Sequence, residues 1–227
     1  MQLLLATILP SILLILIFVF SDKFREPKLE IIKVFFYGIL ITIPAYFLNT
    51  YVGEALEKTE LSVALINSFL TAAPVEEGLK LSVLYFLVFK MKDFNEPMDG
   101  IVYGVCASLG FATLENFYYV YLLADYFNTS SMSLAIVRAF SAVPAHAVFG
   151  LFMGYFFMKY SFIKKGDNLL LAFIVPFVLH GSYNFFIYTT PVVGFAVIII
   201  AWIIGLRMFS RLKKSQKKKR REYEKKL

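Results

Sequence analysis

Long apolar segments, separated by short polar connections, fill most of the 227-residue chain. A helix needs roughly 20 mostly apolar residues to cross a bilayer. The pattern predicts seven membrane-spanning helices and no soluble domain between them. Their approximate ranges are 3–20, 31–51, 61–89, 100–123, 133–158, 169–188 and 192–209. We therefore predict an all-α, polytopic membrane helix bundle, with a transmembrane domain over 1–209 and a basic tail over 210–227.

The composition agrees with this prediction. Hydrophobic residues make up 59% of the chain and charged residues only 17%, whereas soluble domains average about 45–50% and ~25%. These values exclude a disordered chain and an ordinary cytosolic enzyme. The single cysteine excludes a disulfide scaffold. The amino-terminal segment lacks the basic region of a cleaved signal, so we interpret it as a retained first span.

The cations lie almost entirely in alternate connections. Nearly all of the 23 Lys and Arg residues follow the first, third and fifth spans or lie in the tail, whereas Lys58 is the lone cation of the other connections. The positive-inside rule then predicts an outer amino terminus and a cytoplasmic carboxyl terminus. We interpret the basic tail as a cytoplasmic stop signal and expect no nucleic-acid partner.

A few polar side chains lie within the predicted spans, where an ionisable residue costs at least ~2.5–3.5 kcal/mol and is a functional candidate by default. They are Glu76, Glu77, Lys80, Glu115, Asn116, Arg138, His146, His180 and Asn184. Small residues recur with them at intervals of four, which allows close helix approach. In the third span this stripe comprises Ala64, Ser68, Ala72, Glu76 and Lys80. We expect four spans to converge on one polar centre.

This combination of side chains permits hydrolytic chemistry. Lys80 follows the adjacent Glu76 and Glu77 by one helical turn, so one glutamate could act as a base while the other is hydrogen-bonded. His146 and His180 could polarise a carbonyl from two other spans, and Asn184 could donate a hydrogen bond beside His180. Water activated by a glutamate and attacking an amide is one reaction that these groups allow.

The same groups could instead bind zinc, because two histidines with one or two carboxylates form a known catalytic zinc site. The zinc ligands would then be His146, His180, Glu76 and Glu115. The sequence contains no HExxH spacing. We therefore expect no metal or other cofactor, with zinc as the alternative.

Four short segments resemble the motifs of the PrsW family of bacterial intramembrane proteases in order, spacing and span placement. They are APVEEGLK (73–80), FATLENFYY (111–119), PAHAVFG (144–150) and HGSYN (180–184). The related group of CAAX prenyl proteases and bacteriocin-immunity proteins carries an EExxxR motif, which fails here because Leu81 occupies the arginine's position. Its HxxxN motif is matched by His180 and Asn184.

The resemblance implies a site-1 protease in the plasma membrane of a prokaryote. Such a protease cleaves a membrane-anchored anti-sigma factor near its extracytoplasmic side and thereby releases a sigma factor after envelope stress. The resemblance implies a catalytic Glu76 and Glu77, surrounded by Glu115, His146, His180 and Asn184 and supported by Lys80, Asn116 and Arg138. Because the acids are adjacent and the usual zinc signatures are missing, we expect a glutamic-type rather than a metallo-type protease.

Two other functions stay open at this point. A proton- or ion-coupled transporter could use buried carboxylates as a relay, although the sequence shows none of the internal repeats that many transporters carry. A b-type haem protein could use His146 and His180 as axial ligands, which leaves the three glutamates unexplained.

Overall fold

A computed structural model describes residues 1–56, 62–163 and 166–224, and these residues contain helices without any strand. The elements in chain order are α1 (Gln2–Ser21), α2 (Lys28–Leu56), α3 (Val63–Leu65), a π-helix (Ile66–Ala72), α4 (Ala73–Phe86), a 3-10 turn (Val88–Lys90), α5 (Pro97–Leu122), α6 (Ser131–Phe140), α7 (Ala142–Ile163), α8 (Asp167–Thr189) and α9 (Pro191–Glu224). The predicted all-α helical bundle is confirmed.

Six helical segments of the described chain are long and apolar enough to cross a membrane. They are Gln2–Ser21, Lys28–Leu56, Pro97–Leu122, Ser131–Ile163, Asp167–Thr189 and Pro191–Gln216. Each corresponds to one of the predicted spans. The chain is therefore a multi-pass membrane protein, as the apolar pattern predicts. The predicted outer cation Lys58, and Lys164 and Lys165 of the predicted inner side, lie outside the described residues.

The predicted span 61–89 differs from the other six. It is helical from Val63 to Phe86, but three charged residues interrupt its apolar sequence, and a π-helix precedes α4. In a π-helix the backbone hydrogen bonds join residues five apart instead of four. The residues that face the interior of the bundle are therefore spaced differently from those of an α-helix. Thr71, five residues before Glu76, is accordingly buried, whereas Ala64 and Ala72 are only half-buried. The predicted stripe at intervals of four is therefore wrong upstream of Glu76, except at Ser68, which is buried.

The predicted span 133–158 is two helices rather than one. α6 ends at Phe140, and Ser141, with φ −123° and ψ −76°, separates it from α7. Pro144 lies in the first turn of α7, where its missing N–H has no intrahelical partner to lose. The break allows α6 to contact α1 and α5 independently of α7. It places His146 in the second turn of a new helix, near the middle of the membrane segment Ser131–Ile163 that the two helices form together.

The centre of the bundle is the contact between α5 and α7, its two most buried spans. Their backbones touch at glycines: a Cβ atom at Gly100 would lie 2.7 Å from the carbonyl oxygen of Gly154, and one at Gly150 would lie 2.5 Å from that of Gly104. Real Cβ atoms do not approach so closely, so each of these positions needs glycine. The small-residue stripes predicted for these two spans are confirmed, and the other spans surround this pair.

The cationic connections meet at one end of the bundle. Lys23 and Arg25, which follow α1, line a shallow cleft together with Lys213 of α9. The Gln216 side chain of α9 donates a hydrogen bond of 2.8 Å to Asp22 at the end of α1. The structure thus brings together groups that the positive-inside rule assigns to the cytoplasm. We call this the cationic end of the bundle.

α9 is the longest helix and continues unbroken past residue 209 to Glu224. No change of backbone conformation therefore marks the predicted boundary between the transmembrane domain and the basic tail. The tail leaves the bundle as an extension of the last span, and Gln216 shows that its first turns pack against the cationic end.

The predicted orientation can be tested with single cysteines, because the native Cys106 is only 1% exposed. Asp125 follows α5 at the end opposite the cationic end, and Lys92 precedes α5; both are exposed. We expect a membrane-impermeant maleimide to label Asp125→Cys on intact cells and Lys92→Cys only after permeabilisation. The unmodified chain serves as the background control. Labelling of Lys92→Cys alone on intact cells would reverse the assigned orientation.

Candidate active site

The structure brings eight of the nine predicted site residues into one connected cluster between five helices. α4 supplies Glu76, Glu77 and Lys80; α5 supplies Glu115 and Asn116. α6, α7 and α8 each supply one further side chain, namely Arg138, His146 and His180. Their polar atoms are linked by the hydrogen bonds and ion pairs described below. The predicted convergence of the polar spans is therefore present in the structure.

Glu77 lies at the most enclosed point of this cluster, with no exposed surface. Its Oε1 atom accepts from Lys80 Nζ at 2.8 Å and lies 2.8 Å from His180 Nδ1. Because Nδ1 must donate to this carboxylate oxygen, a neutral His180 leaves its Nε2 lone pair free. The Phe149 ring stacks on the imidazole at 5.0 Å and fixes its plane.

Lys80 connects α4 to α7. Its Nζ atom lies 3.0 Å from His146 Nδ1 and 4.3 Å from the centre of the Phe111 ring. An ammonium group can only donate, so His146 Nδ1 accepts and the ring proton is on Nε2. Nε2 then donates to Glu115 Oε2 at 3.0 Å. Ser108 holds the backbone of His146 through a hydrogen bond of 2.6 Å to its carbonyl oxygen.

Arg138 closes the network on the side of α6. Its Nη2 donates to Glu115 Oε2 and its Nε to Asn116 Oδ1, both at 2.7 Å. The guanidinium carbon lies 3.9 Å above the centre of the Tyr119 ring. Asn116 in turn donates to the carbonyl oxygen of Thr7 in α1 at 2.8 Å. The fork of donors on one guanidinium thus ties α6 to α5 and, through Asn116, to α1.

Glu76 faces a cleft, as Glu115 does, but lies farther from its nearest cation. The cleft has a volume of about 780 Å³, and Glu76 and Glu115 are its charged lining residues. Glu76 Oε2 lies 3.9 Å from His180 Nε2 and 3.7 Å from Lys80 Nζ, and it has no hydrogen-bond partner within the described structure. Glu76 thus lines the cleft with a carboxylate whose Oε2 atom is buried and lacks a hydrogen-bond partner.

The cleft separates the second halves of α2 and α5. Thr42 and Phe111 lie near its inner end, where the Thr42 hydroxyl reaches the Phe111 carbonyl oxygen at 3.4 Å. Aromatic rings form much of the wall, and the Tyr46 and Tyr118 rings are 5.3 Å apart. Asn49 also lines the cleft and donates to Glu76 Oε1 at 3.4 Å. The sequence analysis did not identify Asn49, because a single amide side chain within an apolar span is the only sequence feature that marks it.

Local chain breaks place these groups. The π-helix ends at Ala72, and Pro74 lies at the second position of α4, so α4 begins just before the two glutamates. The break at Ser141 starts α7 just before His146. By contrast, Pro176 lies within an uninterrupted α8. Two of the three prolines that precede the site residues therefore coincide with helix starts, and the third does not.

Asn184 is the predicted site residue that the structure does not join to the cluster. It lies one turn after His180 on α8 and is half-buried. Among the described residues, none of the cluster's hydrogen bonds involves its side chain. Its predicted role as a donor beside His180 stays a prediction.

The donor types at the site fit a zinc ion. Glu76, Glu115 and His146 each offer one ligand atom, and these atoms lie within 4.8 Å of one another. The free Nε2 of His180 is 3.9 Å from Glu76, and its Nδ1–H bond to Glu77 is the kind of outer contact that orients a zinc-binding histidine. However, Nε2 of His146 carries a proton as long as Lys80 donates to Nδ1. Binding of zinc through Nε2 therefore requires that this proton leave.

Comparisons with known proteins match most of the chain. A family model described as "PrsW family intramembrane metalloprotease" matches residues 26–207. A protein named Protease PrsW from Geobacillus kaustophilus is 37% identical, covering 92% of this chain and 91% of its own. Proteins of the same name from Oceanobacillus iheyensis and Bacillus subtilis are 34% and 35% identical, covering 91% and 89% of this chain and 94% and 91% of theirs. No solved structure matches the chain.

A multi-pass helical bundle with a buried cluster of glutamates and histidines, matched along most of its length in this way, is an intramembrane protease. The chain belongs to the PrsW family. The resemblance stated from its motifs is thereby confirmed. The family description as a metalloprotease and the three close donor atoms leave the expected absence of a metal unsupported.

The Arg138–Glu115 ion pair can be tested through stability. Both side chains are less than a fifth exposed, and removing one partner of a buried ion pair leaves an uncompensated charge. We expect Arg138→Met to lower the free energy of unfolding in detergent by ~3 kcal/mol. The double variant Arg138→Met/Glu115→Gln should recover much of this loss, because it leaves no charge unpaired.

Lys33→Met provides the matched control. It removes an ion pair of the same length, 2.7 Å to Glu30, but the Lys33 side chain is 46% exposed. Such surface pairs contribute about 0–1 kcal/mol. Equal effects of Arg138→Met and Lys33→Met on the thermal unfolding midpoint would show that burial gives the Arg138 pair no special role.

Proposed function

We propose that the chain is a site-1 type intramembrane endopeptidase in which Glu76 activates the attacking water. The observation that carries this proposal is the uneven pairing of the three glutamates. Lys80 is 2.8 Å from Glu77 and Arg138 is 2.7 Å from Glu115, whereas Glu76 has its nearest cation at 3.7 Å. Two cations thus leave Glu76 as the least compensated carboxylate; it lines the cleft, and its buried Oε2 atom has no hydrogen-bond partner in the described structure.

The proposed reaction follows from this arrangement. Glu76 accepts a proton from water, and the water oxygen bonds to the carbonyl carbon of the scissile peptide. Asn49, the amide beside Glu76 in the cleft, is placed to donate to the developing oxyanion. Glu76 then returns the proton to the amine nitrogen as the carbon–nitrogen bond breaks. Glu77, Glu115 and Arg138 act as positioning residues that hold His180 and His146.

A zinc-dependent form of the same hydrolysis is the second candidate. It is favoured by the close donor atoms of Glu76, Glu115 and His146 and by the family description. Glu76 and Glu115 would hold the ion together with His146, His180 or both. Bound zinc would polarise the scissile carbonyl and lower the pKa of a bound water.

The substrate that we propose is a membrane-anchored anti-sigma factor, cut near its extracytoplasmic side. The aromatic and aliphatic walls of the cleft suit an apolar membrane segment. The cleft is lined by the second halves of α2 and α5, which lie away from the cationic end. The positive-inside rule assigns that half of the bundle to the outer side of the membrane. Tyr46 and Phe47, 48% and 65% exposed, lie at the margin of the cleft and are accessible to a segment that arrives from the lipid.

The first test is co-expression with single-pass anti-sigma factors, followed by mapping of any new terminus. Because a general base contributes about 10²–10⁴-fold, we expect Glu76→Gln to reduce the cleavage rate to that extent while the protein accumulates normally. Glu54→Gln is the control, since it removes an exposed carboxylate from the end of α2. Unchanged cleavage by Glu76→Gln would disprove its role. Cleavage of other single-pass proteins but no anti-sigma factor would remove only the proposed substrate.

The second test separates the two mechanisms by metal analysis of the purified, active protein. If Glu76 acts without a metal, we expect far less than one zinc per chain and no loss of cleavage in a chelator. One zinc per chain, with activity lost to a chelator and restored by zinc, would establish the zinc-dependent form. Loss of the bound zinc in Glu76→Gln but not in Glu54→Gln would then assign Glu76 as a ligand.

A further inference from the structure

A second group of acidic side chains is buried at the cationic end, far along α5 from Glu115. It comprises Asp22 after α1, Glu26 before α2, and Glu96 and Asp99 at the start of α5, each less than a tenth exposed. One carboxylate oxygen from each of Asp22, Glu96 and Asp99 lies within 4.8 Å of the other two. We call these four residues the cytoplasmic acidic cluster.

Some of the oxygens in this cluster are already used. Asp99 Oδ2 accepts from the backbone N–H groups of Asn95 and Glu96 at 2.8 and 2.7 Å and so caps α5. Asp22 Oδ1 accepts from the Phe24 N–H group at 3.0 Å. Glu26 accepts from the Tyr103 hydroxyl at 2.5 Å. The second oxygens of two aspartates, Asp22 Oδ2 and Asp99 Oδ1, are buried without a hydrogen-bond partner in the described structure.

Gln216 provides evidence that is independent of the acidic side chains, because it is a neutral residue on another helix, α9. It is only 5% exposed, and its Nε2 atom donates to Asp22 at 2.8 Å and to Glu96. Its Oε1 atom is buried and unpartnered. A buried polar group without a partner costs roughly 1–3 kcal/mol. Rotation of the amide by half a turn exchanges its N and O atoms, so the oxygen can face the carboxylates when a cation lies between them.

Two carboxylates of this cluster, those of Asp22 and Asp99, also lack a positively charged partner among the described residues. No ion pair joins Asp22 or Asp99 to a Lys, Arg or His among the side chains that the structure describes. Lys23, Arg25 and Lys213 line the shallow cleft beside Asp22 without bonding to its carboxylate. Burial raises the pKa of Glu26 above its ordinary value, and the charges of Asp22 and Asp93 add to the shift. Buried charges of this kind are normally paired or bind metal.

We propose that the cytoplasmic acidic cluster binds a hard divalent cation, Mg²⁺ or Ca²⁺, through Asp22, Glu96, Asp99 and the amide oxygen of Gln216. Oxygen donors alone are the ligands that these ions prefer, and Mg²⁺ typically keeps several waters beside one or two carboxylates. The ion joins the end of α1, the start of α5 and the first turns of the tail. It thereby fixes the tail to the bundle at the face opposite the protease site.

The test uses the full-length protein in detergent, with Mn²⁺ as the paramagnetic probe. We expect electron paramagnetic resonance to detect one saturable Mn²⁺ site that Mg²⁺ or Ca²⁺ displaces. Asp22→Asn and Asp99→Asn should each weaken binding at least ~10-fold, since each removes a charged ligand. Asp125→Asn, which neutralises an exposed carboxylate at the opposite end of the bundle, is the matched control and should bind like the native chain. Glu76→Gln should also bind normally, which separates this site from the protease site.

If the aspartate variants fail to fold, Gln216→Leu removes a neutral ligand and thermal unfolding of the native chain gives a second measurement. A ligand that binds only the folded state raises its stability with concentration, so Mg²⁺ should raise the unfolding midpoint of the native chain more than that of Gln216→Leu. Absence of saturable Mn²⁺ binding, or equal binding by the Asp22→Asn, Asp99→Asn and Asp125→Asn variants, would overturn the proposal. Stabilisation by acid in a chelator, without any by Mg²⁺, would show that shared protons compensate the cluster instead.

Discussion

The active-site half of the molecule depends on the ammonium group of Lys80. A charge without a partner is expensive inside a bilayer, and Lys80 has no exposed surface. Its Nζ atom satisfies Glu77 of its own helix, His146 of α7 and the face of the Phe111 ring on α5. Because Glu77 holds His180 and His146 holds Glu115, the positions of these four side chains follow from that one cation. Arg138 performs the same compensation at the edge of the cluster.

The sequence predicts the helical class, the spans and the members of the polar cluster, because each depends on the composition of a local segment. Apolar length identifies the six membrane helices, and charge in an apolar span identifies Glu76, Glu77 and Lys80. Stripes of small residues at intervals of four also predict close approach between helices, and Gly104 and Gly150 are in contact in the structure.

Three features could not be predicted because they depend on tertiary packing. The break at Ser141 has no glycine or proline at the residue itself, so the apolar pattern continues through it. Asn49 becomes important only because α2 lies beside Glu76. The cytoplasmic acidic cluster gathers residues as distant in sequence as Asp22 and Asp99, and Gln216 of α9 bonds to it. In the sequence these are ordinary loop and tail residues, and the fold alone makes them neighbours.

The π-helix at Ile66–Ala72 makes the number of residues before the glutamates a determinant of the active site. An α-helix turns by roughly 100° per residue, and a π-helix accommodates one residue more per turn than that geometry does. The π-helix therefore accommodates one extra residue and leaves α4 with its glutamates facing the site. The same residues wound as a regular α-helix would keep their hydrophobicity, yet Glu76 and Glu77 would point away from His180. In this protein the chemistry depends on helical phase as much as on the identity of the side chains.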